Sequence, residues 1–521
     1  MSTVTRPLAP MLLALTFAVS ALPTVIAEAA TITVTTDLDF DAADGFCSLR
    51  EAIVAANDDA AHNECPAGAG PDRIVFSLTT PATITLAADL PTITEPLLIR
   101  GPGPAQLVID GADLYRLLFF DIPLGGGWLG VERLTLYRGR SPGGGNGGGA
   151  WIGAGETAWF ERVWFVENHS ANAAGGLAIG SAGSSPTSAT VVECLFLGNV
   201  AEGPGGGGGI GLIGTNGVAR VVRSTLALNE AAHENGTGGG ILNTRGTLFL
   251  EASTVSGNTA NASGGGVMVL VSGVPPLSGA LIARDSTIVR NLANADVGDT
   301  DGDGGGIAFS IGTSFTGTLE LHNSVVAGNL DQLPAITESL AIHGSGTGNE
   351  GVPLSGFQVR PDLDCDSNVE LVASGFSFVG SNEGCATLFP AGSPNAAGDW
   401  VGTAAAPLDP VLDPLGDYGG PTPTHRPSPP FVPPFGGMGP IVSPLIDFGS
   451  CPDAIEDQRG YGDAAAGLRR FDHQGVTNPP GGDGCDIGAV ETGADPQVDR
   501  TVFADGFETG HTLLWSSEVG L

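Results

Sequence analysis

The chain has 521 residues, including 82 Gly and 37 Pro, and only 15% of its side chains are charged, against about 25% in an ordinary globular domain. Its net charge is −36, from 56 acidic and 20 basic residues, and every basic residue is an arginine. That balance excludes a nucleic-acid binder, which needs a cationic footprint, and the missing lysine excludes P-loop and Schiff-base chemistry.

The N-terminus reads as an export signal over residues 1–29. Arg6 supplies the positive start, Met11 to Leu22 the apolar stretch, and Ala27-Glu28-Ala29 a small-x-small cleavage site. The apolar stretch falls short of the roughly 20 residues that span a bilayer. The mature protein is therefore expected outside the cell, without a transmembrane anchor.

Residues 30–72 read as an N-terminal cap. Ser48 and Glu51 have capping-box spacing, and Leu49, Ala52, Ile53 and Ala56 share one helical face. The nearby Asp37, Asp39, Asp41 and Asp44 read as exposed turn residues.

Residues 73–332 are repetitive. Phe165-Val-Glu-Asn168 recurs as Phe196-Leu-Gly-Asn199, Leu226-Ala-Leu-Asn229, Val255-Ser-Gly-Asn258, Ile288-Val-Arg-Asn291 and a lengthened Val325-Val-Ala-Gly-Asn329. The asparagines lie 31, 30, 29, 33 and 38 residues apart, and glycine pairs such as Gly208-Gly209 and Gly239-Gly240 recur between them. Short strands of this period bury their faces only by stacking as coils. The expectation is an all-β, right-handed parallel β-helix, with Asn168, Asn199, Asn229, Asn258, Asn291 and Asn329 forming an amide ladder along its axis.

After residue 332 the repeat fades. Residues 333–491 are expected to form irregular closing coils packed on the far end, and 492–521 a tail. Seven cysteines in an exported chain suggest disulfides. Proximity proposes Cys47–Cys65, Cys365–Cys385 and Cys451–Cys485, leaving Cys194 as a buried thiol. Asp447, Asp457, Arg459, Arg470 and Asp486 are expected to form an ion network that orders the closing region.

Cys47-Ser-Leu-Arg-Glu-Ala52 resembles the motif that names the CSLREA domain of exported bacterial proteins. The repeats resemble those of polymorphic outer membrane proteins. Asp417 to His425, Ser443 to Asp447, Asp457 to Gly460 and Cys485 to Glu491 resemble the choice-of-anchor Q domain. The resemblance implies a parallel β-helix carried outside a Gram-negative cell; it implies no activity and no catalytic residue. The chain departs from polymorphic outer membrane proteins in showing no ten-residue alternating segments after residue 332 that would build a translocator barrel.

Chemical motifs are sparse. Asp299-Thr-Asp301-Gly-Asp303-Gly304 spaces oxygen ligands as a Ca²⁺ loop does, although its twelfth position is Ser310 rather than Glu. Glu161, Glu193 and Glu251, with Asp285 similarly placed, could stack as an acidic column beside Arg133, Arg162, Arg223 and Arg284. Trp151, Trp159, Trp164 and Phe165 form an aromatic cluster in sequence that could stack on sugars. The histidines share no triad or zinc spacing. The expected function is a non-catalytic surface or matrix protein, adhesin-like, binding an extracellular glycan or surface protein along the solenoid. The alternative is a polysaccharide lyase or glycoside hydrolase.

Overall fold

The computed structural model describes residues 29–123, 125–181, 186–273, 277–295, 304–331, 363–365, 368–428, 443–452, 456–461, 472 and 476–492. Residues 1–28 of the expected export signal, the Asp299, Asp301 and Asp303 triplet, Arg470 and the tail beyond residue 492 lie outside the described residues.

The repeat becomes a stack of coils whose strands all pair in parallel. One coil runs Ser188–Val192, Leu195–Leu197, Val200–Ala201 and Ile210–Gly214, and each strand pairs with its counterpart one coil away. Ser188 faces Thr157 on one side and Val218 on the other, so the register advances by whole coils. Side chains alternate in and out along each strand, placing Ala189, Val191, Phe196 and Leu212 in one continuous core. Phe165 stacks on Phe196 there at 4.4 Å.

Two corners in each coil bend through the left-handed region. Arg162, Glu193, Arg223, Asp285 and Asn323 sit at φ between 46° and 53° at the first. Glu167, Gly198, Leu228, Gly257, Arg290 and Gly328 do so at the second, each immediately before a ladder asparagine. A left-handed residue with a side chain costs about 1–2 kcal/mol, and both corners carry a compensating hydrogen-bond column.

At the second corner, Asn168 Nδ2 donates to Asn199 Oδ1 at 2.9 Å, and the same bond runs through Asn229, Asn258 and Asn291 to Asn329. Each Oδ1 also accepts the preceding asparagine's backbone N–H. The sixth repeat unit is not lengthened. Val326 pairs with Ile288, so the unit is Val326-Ala-Gly-Asn329, and Val325 takes the place of Thr287.

The N-terminal helix spans Leu49–Asn57 and closes with the reciprocal Ser48–Glu51 capping box. Cys47 is bonded to Cys65 beside it. The first coil begins within the expected cap, because Thr31–Val34 already pairs with Asp72–Phe76. Asp39 is not an exposed turn residue: it is buried, and its carboxylate takes Arg50 Nε at 3.0 Å and Nη2 at 2.7 Å. Arg50 thereby fixes the cap to the carbonyls of Ala88 and Asp89.

At the other end, Val369–Gly375, Phe378–Val379 and Trp400–Val401 continue the coils, and Cys365 is bonded to Cys385. The segments that follow do not stack on the far end as expected. They run back along the solenoid's flank and cover the outward threonines of the short-strand face. Gln458 Nε2 donates to Thr225 Oγ1 at 2.8 Å, and Thr254 Oγ1 donates to Gln458 Oε1 at 2.5 Å. Further along, the Ala489 N–H donates to Thr287 Oγ1 at 3.0 Å.

Within this returning region, Arg459 pairs with Asp457 at 2.7 Å, both buried, and Cys451 is bonded to Cys485. Asp447 meets Asp486 through its backbone N–H, while Thr492 donates to the Asp486 carboxylate. Among the described residues, the closing region thus carries the buried Arg459–Asp457 ion pair and an Asp486 carboxylate that accepts from Asp447 and Thr492. Among the described residues, no helix is long and apolar enough to cross a membrane.

Candidate functional site

The acids expected to form one column occupy two. Glu161 aligns with Glu132 and Val192, exposed midway along the strand Thr157–Val166, and Glu251 aligns with Val222 and Arg284. Glu193 stands one residue further on, at the left-handed corner. The offset is visible from the ladder: Glu161 and Glu251 precede their asparagines by seven residues, Glu193 and Asp285 by six.

Arginine engages two of these four carboxylates, Glu193 and Glu251. Glu193 is clamped between Arg162 at 2.6 Å and Arg223 at 2.7 Å, and Arg223 continues to Glu456 at 2.8 Å. Glu251 meets Arg220 at 2.7 Å, and Asp285 accepts from Asn323 Nδ2 at 2.8 Å. These rows tie coils together.

The aromatic cluster is likewise divided. Phe165 is core, Trp164 lies on the short-strand face beside Leu195, and Trp159 is half-buried earlier on the same strand, Thr157–Val166, before its bend at Arg162. Trp151 lines a cleft. That cleft, of about 520 Å³, is bounded by Arg116, Phe119, Asp121, Asn146, Trp151 and Gly180 among others.

Four successive coils build it, from Phe119 through Trp151 and Gly180 to Ile213. Phe119 and Trp151 pair in register and stack at 6.4 Å with planes 17° apart. Trp151 then lies flat across Gly180 of the next coil, where any Cβ would collide with the indole. The Arg116 guanidinium sits 4.9 Å from the Phe119 ring centre and is braced by Nη2 on the Asn146 carbonyl at 2.9 Å and Nε on Gly147 O at 3.2 Å. Burial holds Arg116 below its ordinary pKa, with Asp89 opposing. Asp121, exposed at the rim, is the one carboxylate among the lining residues.

The cleft thus offers a flat ring surface, a braced cationic donor and a carboxylate acceptor, suited to a ring-shaped ligand bearing hydroxyl groups. No family model and no curated protein matches the chain. Among solved structures, the crystal structure of pectate lyase Pel9A is similar: 12% identical, over 90% of this chain and 97% of that one, with a TM-score of 0.36. The parallel β-helix stands on the coil register described above.

Cys194 was expected to be an isolated buried thiol, and it is buried and unbonded. It also belongs to a column that sequence reading missed. The Cys194 N–H donates to Ser224 Oγ at 3.0 Å, and the pattern repeats through Ser253, Ser286 and Ser324 to Ser377. Burial pushes the Cys194 thiol up to about 12, so it is an inert structural group. The signal was present, since Ser224, Ser253, Ser286 and Ser324 each precede a ladder asparagine by five residues.

Proposed function

We propose that this is an exported, non-catalytic β-helix protein that binds an extracellular glycan in the Arg116–Phe119–Trp151 cleft, acting as an adhesin or matrix component. The observation that carries the reading is the Trp151 indole, laid across Gly180 and stacked on Phe119 beside a braced guanidinium. The single lining carboxylate supports binding over hydrolysis, because a glycosidase needs two carboxyl groups about 5–9.5 Å apart. Three disulfides support an oxidising compartment outside the cytoplasm. The export signal and the resemblance to CSLREA and choice-of-anchor Q domains support placement at a Gram-negative surface.

The test presents the mature protein to a panel of neutral and acidic polysaccharides, scoring both retention and chain cleavage. Retention without cleavage, reduced at least tenfold by Trp151→Ala, is the expected result. Cleavage of any member would make the protein a lyase or glycoside hydrolase instead. A structural Ca²⁺ at Asp299, Asp301 and Asp303 belongs to the proposal on the sequence pattern alone. Calorimetric heat that persists unchanged in Asp301→Ala/Asp303→Ala would remove it.

A further inference from the structure

A second aromatic stack lies round the corner from the cleft, on the same two coils. Trp128 and Trp159 stack at 5.0 Å with planes 27° apart, and Trp159 lies across Gly130, where a Cβ would strike the indole. Both rings are half-buried on the outward face of their sheet. The chain runs from Phe119 to Trp128 in one coil and from Trp151 to Trp159 in the next, so each corner carries one ring on either side. Eight residues separate Trp151 from Trp159, which places their Cα atoms at most about 28 Å apart.

The corner between the stacks is held in shape. The fully buried Glu156 carboxylate accepts the Ile122 N–H at 3.1 Å and the Gly127 N–H at 2.8 Å, joining the two coils' corners. Glu156 is therefore a positioning residue for both aromatic pairs.

The charge of this face sets the class of partner. Between Leu98 and His322 its outward strand positions carry Arg100, Arg220 and Arg284 against Glu132, Glu161, Glu251 and Glu320, three positive and four negative. Six of the seven are joined as ion pairs, Arg100–Glu132, Arg220–Glu251 and Arg284–Glu320. A net of −1 here, on a chain of −36, makes the face nearly neutral, with little electrostatic pull on a polycation or a polyanion.

We propose that the Trp128–Trp159 stack is a second sugar-ring platform continuous with the cleft, and that the partner is an uncharged polysaccharide long enough to occupy both. The inference rests on the glycan reading of the cleft and extends it from one ring-binding site to a chain-binding surface. Two platforms on one chain act through effective concentration, so affinity rises with ligand length until both are filled.

The test titrates full-length mature protein with β-glucan, galactomannan and xylan, and with their oligosaccharides from disaccharide to octasaccharide. Trp159→Thr and Trp128→Thr copy the in-register residues Thr190 and Thr157 of the following coils, so both replacements suit the fold, and melting curves check it. The expected result is a polymer affinity lowered about tenfold by either variant, the effect of one lost stacking contact, with short-ligand affinity unchanged. Trp151→Ala should weaken short and long ligands alike. Polymer affinity within twofold of wild type in both threonine variants, with Trp151→Ala still weakened, would overturn this inference and leave the cleft reading standing. No binding of any glycan by the wild type would overturn both.

Discussion

Cys194 stands in the coil position that Ser224 fills one turn later, and its N–H donates to the Ser224 hydroxyl oxygen at 3.0 Å. Its own sulfur receives the Val163 N–H at 3.4 Å. A serine at 194 would match the column below it. Cys194→Ser is therefore expected to fold with stability within about 1 kcal/mol of wild type. In the native protein the thiol should ignore an aromatic disulfide reagent and titrate only after denaturation. Rapid labelling of the folded protein would contradict the buried column.

Asn229 carries the ladder at mid-solenoid. Its Oδ1 accepts the Asn199 N–H and Nδ2, and its Nδ2 donates to Phe196 O and Asn258 Oδ1. Truncation leaves several buried polar groups without partners, each costing about 1–3 kcal/mol. Asn229→Ala should lose at least about 3 kcal/mol in denaturant unfolding. A loss below about 1 kcal/mol would show that the ladder only decorates the corner.

His425 lies between the returning region and the solenoid, where the Asp413 carbonyl requires its Nδ1–H as donor and the Ser256 hydroxyl pairs with Nε2, both at 2.8 Å. Burial pushes its pKa down to about 4 from an ordinary 6.5. With the folded value depressed, the neutral ring's contribution is complete above about 6.5 and is lost as pH falls toward about 4, roughly 3 kcal/mol in all. Asp486 acts in the opposite sense. Burial raises it to about 6, so its contribution is complete below the ordinary value of 3.8 and lost as pH rises through about 6. Comparing wild type with His425→Gln separates the two: the variant should lose less stability than wild type between pH 7 and pH 4.5. Parallel curves would exclude His425 as the titrating group.

Arg459 holds Asp457 and the Glu491 carbonyl while nearly buried. Arg459→Ala strands the Asp457 carboxylate and is expected to cost about 3–5 kcal/mol. A melting temperature equal to wild type would refute the buried pair as the organiser of this region.

The coils were legible because their information is local and periodic. A repeated Asn, a Gly pair and alternating apolar residues each act within one coil and its neighbours, and the capping box of Ser48 and Glu51 lies within a single turn. The serine column was equally regular, but serine in strands is common enough to pass as filler until its Oγ is seen receiving the preceding coil's N–H. The split of Glu193 from Glu161 turned on one residue of offset at a corner, which similar spacings conceal. The returning region was illegible for a different reason. Gln458 meets Thr254 across 204 positions, and no pattern near either residue encodes that meeting. The cleft failed for the same cause, since Phe119, Trp151 and Gly180 come together only once the coil register is known.

The proposal that the cleft binds a glycan is tested most directly by measuring retention of wild-type and Trp151→Ala protein on immobilised neutral polysaccharides, with product analysis of the same incubations. Retention of the wild type, loss of at least tenfold in the variant and intact polysaccharide are predicted. Equal retention of the two proteins, or shortened chains in the wild-type incubation, would contradict it.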